Sequence, residues 1–329
     1  MRILRDSNSR GRRFVLLLVV SVLLGGAATD TLNAEAPTDA NGVPRQAINT
    51  QDPEDTPSAP LEALAALKVP DGFEVSLFAG EPDVHQPLAF TFDDRGRLWV
   101  IENYSYPEWN AEAYDRIVIF EDTDQDGQFD KKKVFLDDGH QLTGIEIGFG
   151  GVWCTAAPYL IFIPDDDRDD QPDGPPQILL DGFNLREVGH NVVNGLRWSP
   201  DGWLYGRHGI KATSHVGAPG TSAKQRVMLN CSIWRFHPTR KIFEVVSHGT
   251  TNPWGFDYDD YGEMFFTNNV IGHLWHLLPG ARYQRMFGSH LNPNTFVSMN
   301  STSDHLHFAG GLWSESRKEI GKPNLHDEY

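Results

Sequence analysis

A hairpin-like segment that recurs along the chain constrains the fold more than any other feature. Each copy has an alternating strand, a tight turn that ends in Gly, and a second alternating strand, since Gly supplies the positive φ that the turn needs. The copies occupy residues 86–100, 194–205 and 252–266, with a weaker copy at 144–153. Their turn glycines are Gly96, Gly151, Gly202 and Gly262. This interval of roughly 50 to 60 residues is a little longer than a typical propeller blade, and one hairpin cannot bury its apolar face alone. The repeat therefore predicts an all-β propeller, whose blades stack around a channel.

A finer repeat supports this prediction. Residues 119–130 parallel residues 162–173 at a constant offset of 43, as equivalent outer hairpins of two successive blades would. Residues 70–312 hold about four blades and the start of another, and propellers usually close with four to eight. The chain is therefore either a small or incomplete ring or a piece of a longer protein. We favour the piece, because Asp304 to His307 opens a unit whose partner strands do not follow.

The N-terminal region differs in composition from the repeats. Arg10, Arg12 and Arg13 precede an apolar run at 14–24 and small residues at 25–28, which is typical of an export signal, either cleaved or kept as an anchor. We therefore expect residues 1–34 to be a signal peptide or anchor and the protein to be exported, periplasmic or membrane-associated. Residues 35–60 are rich in Pro, Asp, Thr and Ala and predict a disordered linker. The propeller domain is expected over residues 61–329.

Charge and cysteine content narrow the function further. The net charge is −17, and it becomes −20 without residues 1–34, which hold five Arg and two acidic residues. Such an acidic protein repels phosphate backbones, so nucleic acid is a poor partner, whereas cations, neutral sugars or a basic redox partner suit it. Cys154 and Cys231 are the two cysteines, and they form either a disulfide or two buried thiols. No Cys-x-x-Cys-His motif is present to attach a c-type haem.

Aspartate-rich turns form the first candidate site. Acidic residues alternate before sharp turns at Asp122, Asp124, Asp126 and Asp130, and again at Asp165, Asp167, Asp169 and Asp173. Hard cations take six to eight oxygen ligands, and this spacing can wrap one. Lys133 stands where an EF-hand would close with Glu, and Asp170 replaces the Gly127 of the first copy. The alternatives are structural Ca²⁺ sites or solvated acidic turns.

Histidines and tryptophans form the other constellations. Several histidines follow or begin a repeat: His190, His208, His248, His273, His276, His305 and His307. They either line a pocket at the channel mouth or are hydrogen-bonded between blades. The tryptophans recur at blade positions: Trp99, Trp153, Trp198, Trp203, Trp234, Trp254 and Trp275. We expect them to fill gaps between blades, while one or two could stack on a flat ring in the channel.

These residues carry a resemblance to the glucose/sorbosone dehydrogenase propellers. The opening blade of that family resembles Pro70-x-Gly72-Phe73 with the following Gly96-Arg97-Leu98-Trp99-Val100, and two inner segments resemble residues 190–196 and 249–255. The chain is most similar to the propeller of the membrane-bound dehydrogenases of planctomycetes, over roughly residues 62–325. The resemblance implies a six-bladed propeller, of which about four to five blades are present here.

The resemblance also implies an activity and a set of site residues. The family members oxidise a carbohydrate hydroxyl by hydride transfer to pyrroloquinoline quinone (PQQ), with Ca²⁺ polarising the quinone and a His as the general base. That base would be His190. A cytochrome c is an implied electron acceptor. Thr251 stands where the family has a quinone-contacting Arg, which Arg207 could replace. The implied cofactor-binding residues are Asn194, Arg207, Asn252, Trp254, His273 and His276.

Two functions of other classes remain open. One is a metal-dependent lactone or ester hydrolase, which would need channel carboxylates and amides. The residues available for it are Glu102, Asn103, Asn194, Asn252 and Asn268. The other is a propeller without catalytic activity that binds a carbohydrate or a protein.

Overall fold

The computed structural model describes residues 2–6, 58–106, 114–185, 192–268, 272–291 and 298–302. Helix α1 spans Pro60–Ala65, and strand β1 (Arg2–Asp6) pairs antiparallel with β2 (Phe73–Leu77). Most of the expected signal segment and linker lies outside the described residues. Within the described part of the chain, no helix has the length and apolar character needed to cross a membrane.

Four antiparallel sheets follow in chain order and form a four-blade propeller arrangement. Blade 1 contains β3 (Pro87–Phe92), β4 (Leu98–Glu102), β5 (Asp115–Glu121) and β6 (Lys131–Gly139). Blade 2 contains β7 (Leu142–Ile147), β8 (Gly151–Ala156), β9 (Tyr159–Pro164) and β10 (Gln177–Asp181). In both sheets each strand pairs with the next one in the chain, so each blade is a meander of local hairpins. The all-β prediction is confirmed.

Blade 3 carries an inserted hairpin. Its strands are β11 (Val193–Trp198), β12 (Leu204–His208), β15 (Ser232–Phe236) and β16 (Phe243–Thr250), and the insertion is β13 (Ser214–Val216) with β14 (Val227–Leu229). Blade 4 contains β17 (Pro253–Tyr258), β18 (Met264–Asn268) and β19 (Leu274–Leu277). The next strand, β20 (Arg282–Arg285), pairs parallel with β16.

The predicted turn glycines are equivalent in three blades. Gly96, Gly202 and Gly262 have φ of +77°, +79° and +82°, and each donates its N–H to the carbonyl three residues earlier at 2.9–3.0 Å. For the weaker copy the prediction of Gly151 is wrong. The turn there is Phe149-Gly150, with φ of +53° and +81°, and Gly151 begins β8. Gly148 and Gly151 exchange two backbone hydrogen bonds, so only Phe149 and Gly150 form the turn and the glycine with positive φ comes one position earlier.

The hydrophobic cores lie between neighbouring blades. Trp99, Trp153, Trp203, Trp234 and Trp275 are all buried in clusters that combine side chains of adjacent sheets. Removing such a side chain from water contributes roughly 1.5–3 kcal/mol or more, which holds each sheet against the next. The prediction that tryptophans fill gaps between blades is confirmed for these five. Trp254 differs, since it is 39% exposed.

Candidate functional site

The four innermost strands place equivalent residues at one level of the channel. β3, β7, β11 and β17 each have six residues and pair on one side with the second strand of their own blade. β7 packs between β3 and β11, and β11 also contacts β17. The fifth residue of each strand is polar or charged: Thr91, Glu146, Arg197 and Asp257.

These four side chains form one chain of polar contacts across the blades. The Thr91 hydroxyl donates to Glu146 Oε2 at 3.1 Å, and Arg197 Nη1 lies 3.9 Å from Glu146 Oε1. Arg197 Nη2 in turn donates to Asp257 Oδ1 at 3.2 Å. Charges of alternating sign thus meet where four separate sheets converge, which lets each charge be partly compensated by a neighbouring blade.

Glu146 is the most perturbed carboxylate of this group. It is only 5% exposed, and burial raises its pKa to about 7, while Arg197, the Thr91 hydroxyl and Arg207 act to lower it. Burial penalises the charged form, and these partners compensate only in part. A carboxylate with a pKa near neutrality can accept or release a proton under ordinary conditions.

Arg207 reaches the channel from the second strand of blade 3. It lies on β12 opposite Asn194, and its guanidinium passes over Gly195, where an added Cβ would come within 1.9 Å of Arg207 Nη2. Arg207 Nη2 donates to the Trp254 carbonyl. Gly195, with φ of +49°, is therefore required both by the backbone and by the space that Arg207 occupies.

The guanidinium of Arg207 is buried without full compensation. The residue is 6% exposed, and among the described residues its Nε and Nη1 have no hydrogen-bond partner. Burial lowers its pKa to about 9, against the attraction of Glu146. Buried donors of this kind are usually satisfied by protein, water or a ligand. The arrangement therefore favours an anionic or oxygen-rich group beside Arg207.

A cavity of about 820 Å³ opens beside these residues. Side chains from all four blades line it, among them Glu146, Arg197, Arg207, Trp254 and Asp257. Strand β2 and the first acidic loop add further polar side chains, including Glu74, Asp122 and Asp126. This volume suits a small-molecule ligand. In this cavity Arg207 can bind an anionic group, Glu146 can accept a proton, and Trp254 lies beside them.

The residues predicted to bind a cofactor are only partly brought together. Arg207 and Trp254 line the cavity, whereas Asn194 is fully buried outside its lining. Asn252 accepts the Ile210 N–H through Oδ1 at 3.0 Å. The other two predicted residues are histidines of blade 4.

The histidines have different surroundings. His276, on β19, lies 2.7 Å from Glu263 and stacks on Phe265. His273 is half-buried and, like His276, is not among the cavity-lining residues. His208 is buried between the Gly209 carbonyl and the Ser214 hydroxyl, and its pKa is lowered to about 4 by burial. His190, His305 and His307 lie outside the described residues, so the prediction of His190 as general base stays a prediction.

The residues that a hydrolase would use are engaged elsewhere. Glu102 accepts from the His85 N–H and the Tyr104 hydroxyl, both at 3.1 Å. Asn103 Nδ2 donates to the Leu142 carbonyl at 2.5 Å. The inner strands instead contribute the carboxylates of Glu146 and Asp257 to the cavity, and sequence reasoning missed both. A signal did exist, since these are single charged residues in otherwise largely apolar inner strands.

Each acidic loop gathers three carboxylates. In the first loop, between β5 and β6, oxygens of Asp122, Asp124 and Asp130 lie within 4.8 Å of one another. In the second loop, between β9 and β10, oxygens of Asp165, Asp167 and Asp173 do the same. Asp126 and Asp169 lie outside these groups. They accept the N–H groups two residues ahead, at 2.8 and 2.9 Å.

Both cysteines are buried as free thiols, Cys154 in blade 2 and Cys231 beside blade 3. Of the two alternatives left open by the sequence, the structure has the thiols. Burial raises the pKa of both, the Cys231 thiol to about 12. They are therefore poor nucleophiles.

The fold and the channel site define a β-propeller with a polar small-molecule cavity. Within this class, the chain belongs to the family described as "Domain of unknown function (DUF7133)", whose model matches residues 59–316. No curated protein sequence matches the chain.

Solved structures with similarity to the chain include sugar dehydrogenases. An oxidoreductase described as a glucose dehydrogenase, from Thermus thermophilus, has 19% identity and a TM-score of 0.46 over 66% of this chain and 69% of that chain. The PQQ-bound aldose sugar dehydrogenase of Streptomyces coelicolor has 19% identity and a TM-score of 0.46 over 63% of each chain. A further glucose dehydrogenase has 15% identity and a TM-score of 0.41 over 61% of this chain and 63% of that chain. The chain thus spans about two thirds of the length of these neighbours, 63% to 69%.

Proposed function

We propose that this protein is an oxidoreductase that holds PQQ in its channel and oxidises a carbohydrate hydroxyl. The observation that carries the proposal is Arg207, whose buried Nε and Nη1 have no partner among the described residues, on the wall of an 820 Å³ cavity. PQQ is a flat tricarboxylate, and guanidinium groups bind carboxylates with two parallel hydrogen bonds. Other anions would satisfy Arg207 as well, so the quinone itself has to be tested.

The residues beside Arg207 fit such a cofactor. The half-exposed indole of Trp254 offers a surface for a flat ring, and Gly195 leaves the guanidinium room to turn toward it. Thr251, at the position of the family's Arg, is buried, and its hydroxyl accepts the Met286 N–H at 3.2 Å. Arg207 would therefore take over the role of the missing Arg. When bound, PQQ would supply the acceptor for a hydride, which carries the two electrons of the oxidation.

Oxidation of a hydroxyl also needs a group that accepts its proton. The resemblance assigns this role to His190. Glu146 is a second candidate, because it lies in the cavity wall and its pKa of about 7 allows it to accept a proton at neutral pH. Arg197 holds the carboxylate from the side of blade 3. The proposal also includes Ca²⁺ in the first acidic loop, export of the protein and electron transfer to a cytochrome c. The net charge of −17 favours the electron transfer, because it attracts a basic redox partner.

Direct binding of PQQ to the purified full chain tests the proposal. We expect saturable binding by calorimetry, weakened at least about tenfold in Arg207→Met, since a desolvated charge-assisted contact is lost. Arg240→Met, at an exposed arginine of the same blade, is the matched control. Absence of PQQ binding by the wild type would overturn the proposal. Metal-dependent cleavage of a lactone panel would then favour the hydrolase, and binding of a sugar without turnover the binding module.

Dye reduction with a panel of sugars tests the proton acceptor. Removing a general base lowers turnover roughly 10²–10⁴-fold. His190→Ala and Glu146→Gln are compared at several pH values, because an acid limb near the unperturbed His value of about 6.5 that disappears in one variant identifies the titrating group. Retained PQQ binding in both variants separates a lost base from a lost site.

A further inference from the structure

The second acidic loop contains a buried carboxylate oxygen that lacks a partner. Asp165 is 7% exposed, and within the described part of the chain its Oδ1 is buried without a hydrogen-bond partner. In the first loop the equivalent residue, Asp122, accepts the Gln125 N–H at 2.6 Å and the Gly127 N–H at 3.0 Å. The two loops share a sequence pattern. In the second loop the Asp169 N–H acts on the Asp165 carboxylate, but Oδ1 is left without a partner, whereas both oxygens of Asp122 accept backbone N–H groups.

The surroundings of Asp165 increase the cost of its charge. Its pKa is raised by burial and by the negative charges of Asp170, Asp169 and Asp167. Oxygens of Asp165, Asp167 and Asp173 lie within 4.8 Å of one another. A buried anion among further anions needs a cation, and carboxylate oxygens at this spacing are ligands of a hard divalent ion.

The same loop is attached to blade 1 by a different side chain. Asp170 accepts from Arg97 Nη1 at 2.8 Å and from Nη2 at 2.7 Å. Arg97 belongs to the turn between β3 and β4, and its Nε donates to Asp93 at 2.8 Å. Asp165, Asp170 and Arg97 line a common cavity of about 270 Å³ between the two blades. The cation ligands and the contact with blade 1 are therefore on one short loop.

We propose that residues 165–173 bind a divalent cation of the calcium type, and that this ion fixes the loop in the conformation in which Asp170 holds Arg97 of blade 1. The ion neutralises the repulsion among the loop carboxylates. Without it, Asp165, Asp167 and Asp169 repel one another, and the loop loses the geometry that presents Asp170 to Arg97. The ion thus links the stability of the contact between blades 1 and 2 to calcium. This link is independent of PQQ and of turnover.

The binding part is tested by calorimetric titration of the full chain with CaCl₂. All proteins carry Asp122→Asn, so that the measured heat belongs to the second loop. Adding Asp165→Asn should weaken binding at least about tenfold, because affinity in such loops follows the number of charged ligands. Asp167→Asn, at an exposed ligand that does not affect the core, should do the same and covers the case in which the Asp165 variant fails to fold. Unchanged affinity in these variants overturns the cation site.

The coupling part is tested by hydrogen exchange of the amides in residues 93–99, with and without CaCl₂. Calcium should slow exchange there in the wild type and in Asp122→Asn. Asp170→Gly restores the glycine of the first loop and removes the contact with Arg97, so it should keep calcium binding but lose the effect on these amides. Calcium-dependent protection that persists in Asp170→Gly, or that is absent from the wild type, overturns the link between the blades.

Discussion

Arg97 and Asp170 form a bidentate ion pair between the first two blades, with nitrogen–oxygen distances of 2.8 and 2.7 Å. Asp170 has φ of +65°, in the same place in its loop where Gly127 has φ of +90°. Aspartate at a glycine position costs backbone strain of about 1 kcal/mol or more. That cost is offset by a charge-assisted contact that a glycine could not make.

Removing one partner of this pair should destabilise the protein strongly. Arg97 is 8% exposed, and Arg97→Met leaves Asp93 without its ion-pair partner and Asp170 with Lys133 Nζ at 3.8 Å. It should therefore lower the free energy of unfolding by about 3 kcal/mol. Arg97→Met/Asp170→Gly should recover part of this loss, because it removes one unpaired charge and the strained φ. Urea denaturation at pH 7 measures both. A double variant as unstable as the sum of the single variants would contradict the coupling.

The same pair should contribute to acid sensitivity. Hydrogen bonds from Arg97 lower the pKa of Asp170 below its ordinary value. The pair therefore stabilises the protein fully at pH values above the unfolded-state pKa of Asp170, and this contribution is lost as the pH falls through the folded-state pKa. Wild-type stability should therefore drop below about pH 4 more steeply than that of Asp170→Gly. Parallel denaturation curves from pH 6 to pH 3 check this. Equal slopes for the two proteins would show that the pair does not titrate as described.

The blades could be predicted from the sequence because their signals are local. The turns at Gly96, Gly202 and Gly262 repeat one hydrogen-bond pattern, and each lies between two strands that pair with each other. The contact of Arg97 with Asp170 joins positions 73 residues apart. In the sequence, the one sign of this contact is that Asp170 replaces the glycine of the first loop.

The site was harder to predict because it depends on which strands converge. Arg207 lies on a second strand and reaches the channel only because Gly195 lacks a side chain. Glu146 lies in the weakest copy of the repeat, so its equivalence with Thr91 and Arg197 becomes visible only from the strand positions. The histidine positions left open a pocket at the channel mouth, whereas the charged residues that line the described cavity are arginines and carboxylates.

Gly195→Ala should displace Arg207 without removing any of its atoms. The added Cβ would lie 1.9 Å from Arg207 Nη2 and would also impose φ of +49° on an alanine. Gly202→Ala is the matched control, because its φ of +79° carries a similar strain but no atom lies within 4 Å. Thermal unfolding should show a loss of about 1–2 kcal/mol for the control and a further loss of about 1–3 kcal/mol for Gly195→Ala. PQQ binding should weaken only in Gly195→Ala, and equal effects of the two substitutions would contradict the role of the open position.

Calcium should raise the melting temperature through the first loop as well, provided that the ion prefers the folded state. Asp124 contributes one of the three clustered oxygens and is exposed, so Asp124→Ala removes a ligand without disturbing the core. In an Asp167→Asn background, which silences the second loop, we expect a calcium-dependent rise of a few degrees that Asp124→Ala abolishes. Differential scanning calorimetry with and without CaCl₂ measures this. An unchanged melting temperature in the Asp167→Asn protein would exclude calcium from the first loop.

Glu146 should make the protein less stable as the pH rises through neutrality. Burial raises its folded-state pKa from an ordinary value of 4.5 to about 7. A carboxyl group whose pKa is higher in the folded state stabilises the protein fully at pH values below its unfolded-state pKa. This contribution is lost as the pH rises through the folded-state pKa. Between pH 5 and pH 8 Glu146 should therefore lower the unfolding free energy of the wild type by up to about 3 kcal/mol relative to a variant that cannot ionise at this position. His208, whose folded-state pKa is lowered to about 4, acts in the opposite direction but does so equally in both proteins. Arg207, whose pKa is lowered only to about 9, stays largely protonated over this interval, so the difference between the two proteins belongs to Glu146.

Glu146→Gln is the variant that tests this assignment. The amide keeps the shape of the side chain and can still accept from the Thr91 hydroxyl, but it cannot ionise. The difference in unfolding free energy between Glu146→Gln and the wild type should shift in favour of the variant by up to about 3 kcal/mol from pH 5 to pH 8. Glu244→Gln, at a solvent-exposed partner of Arg235, should keep the wild-type pH dependence. A difference between the two proteins that stays constant from pH 5 to pH 8 would mean that Glu146 is ionised throughout. The channel would then hold a permanent ion pair with Arg197, and Glu146 would have no proton to exchange with a substrate.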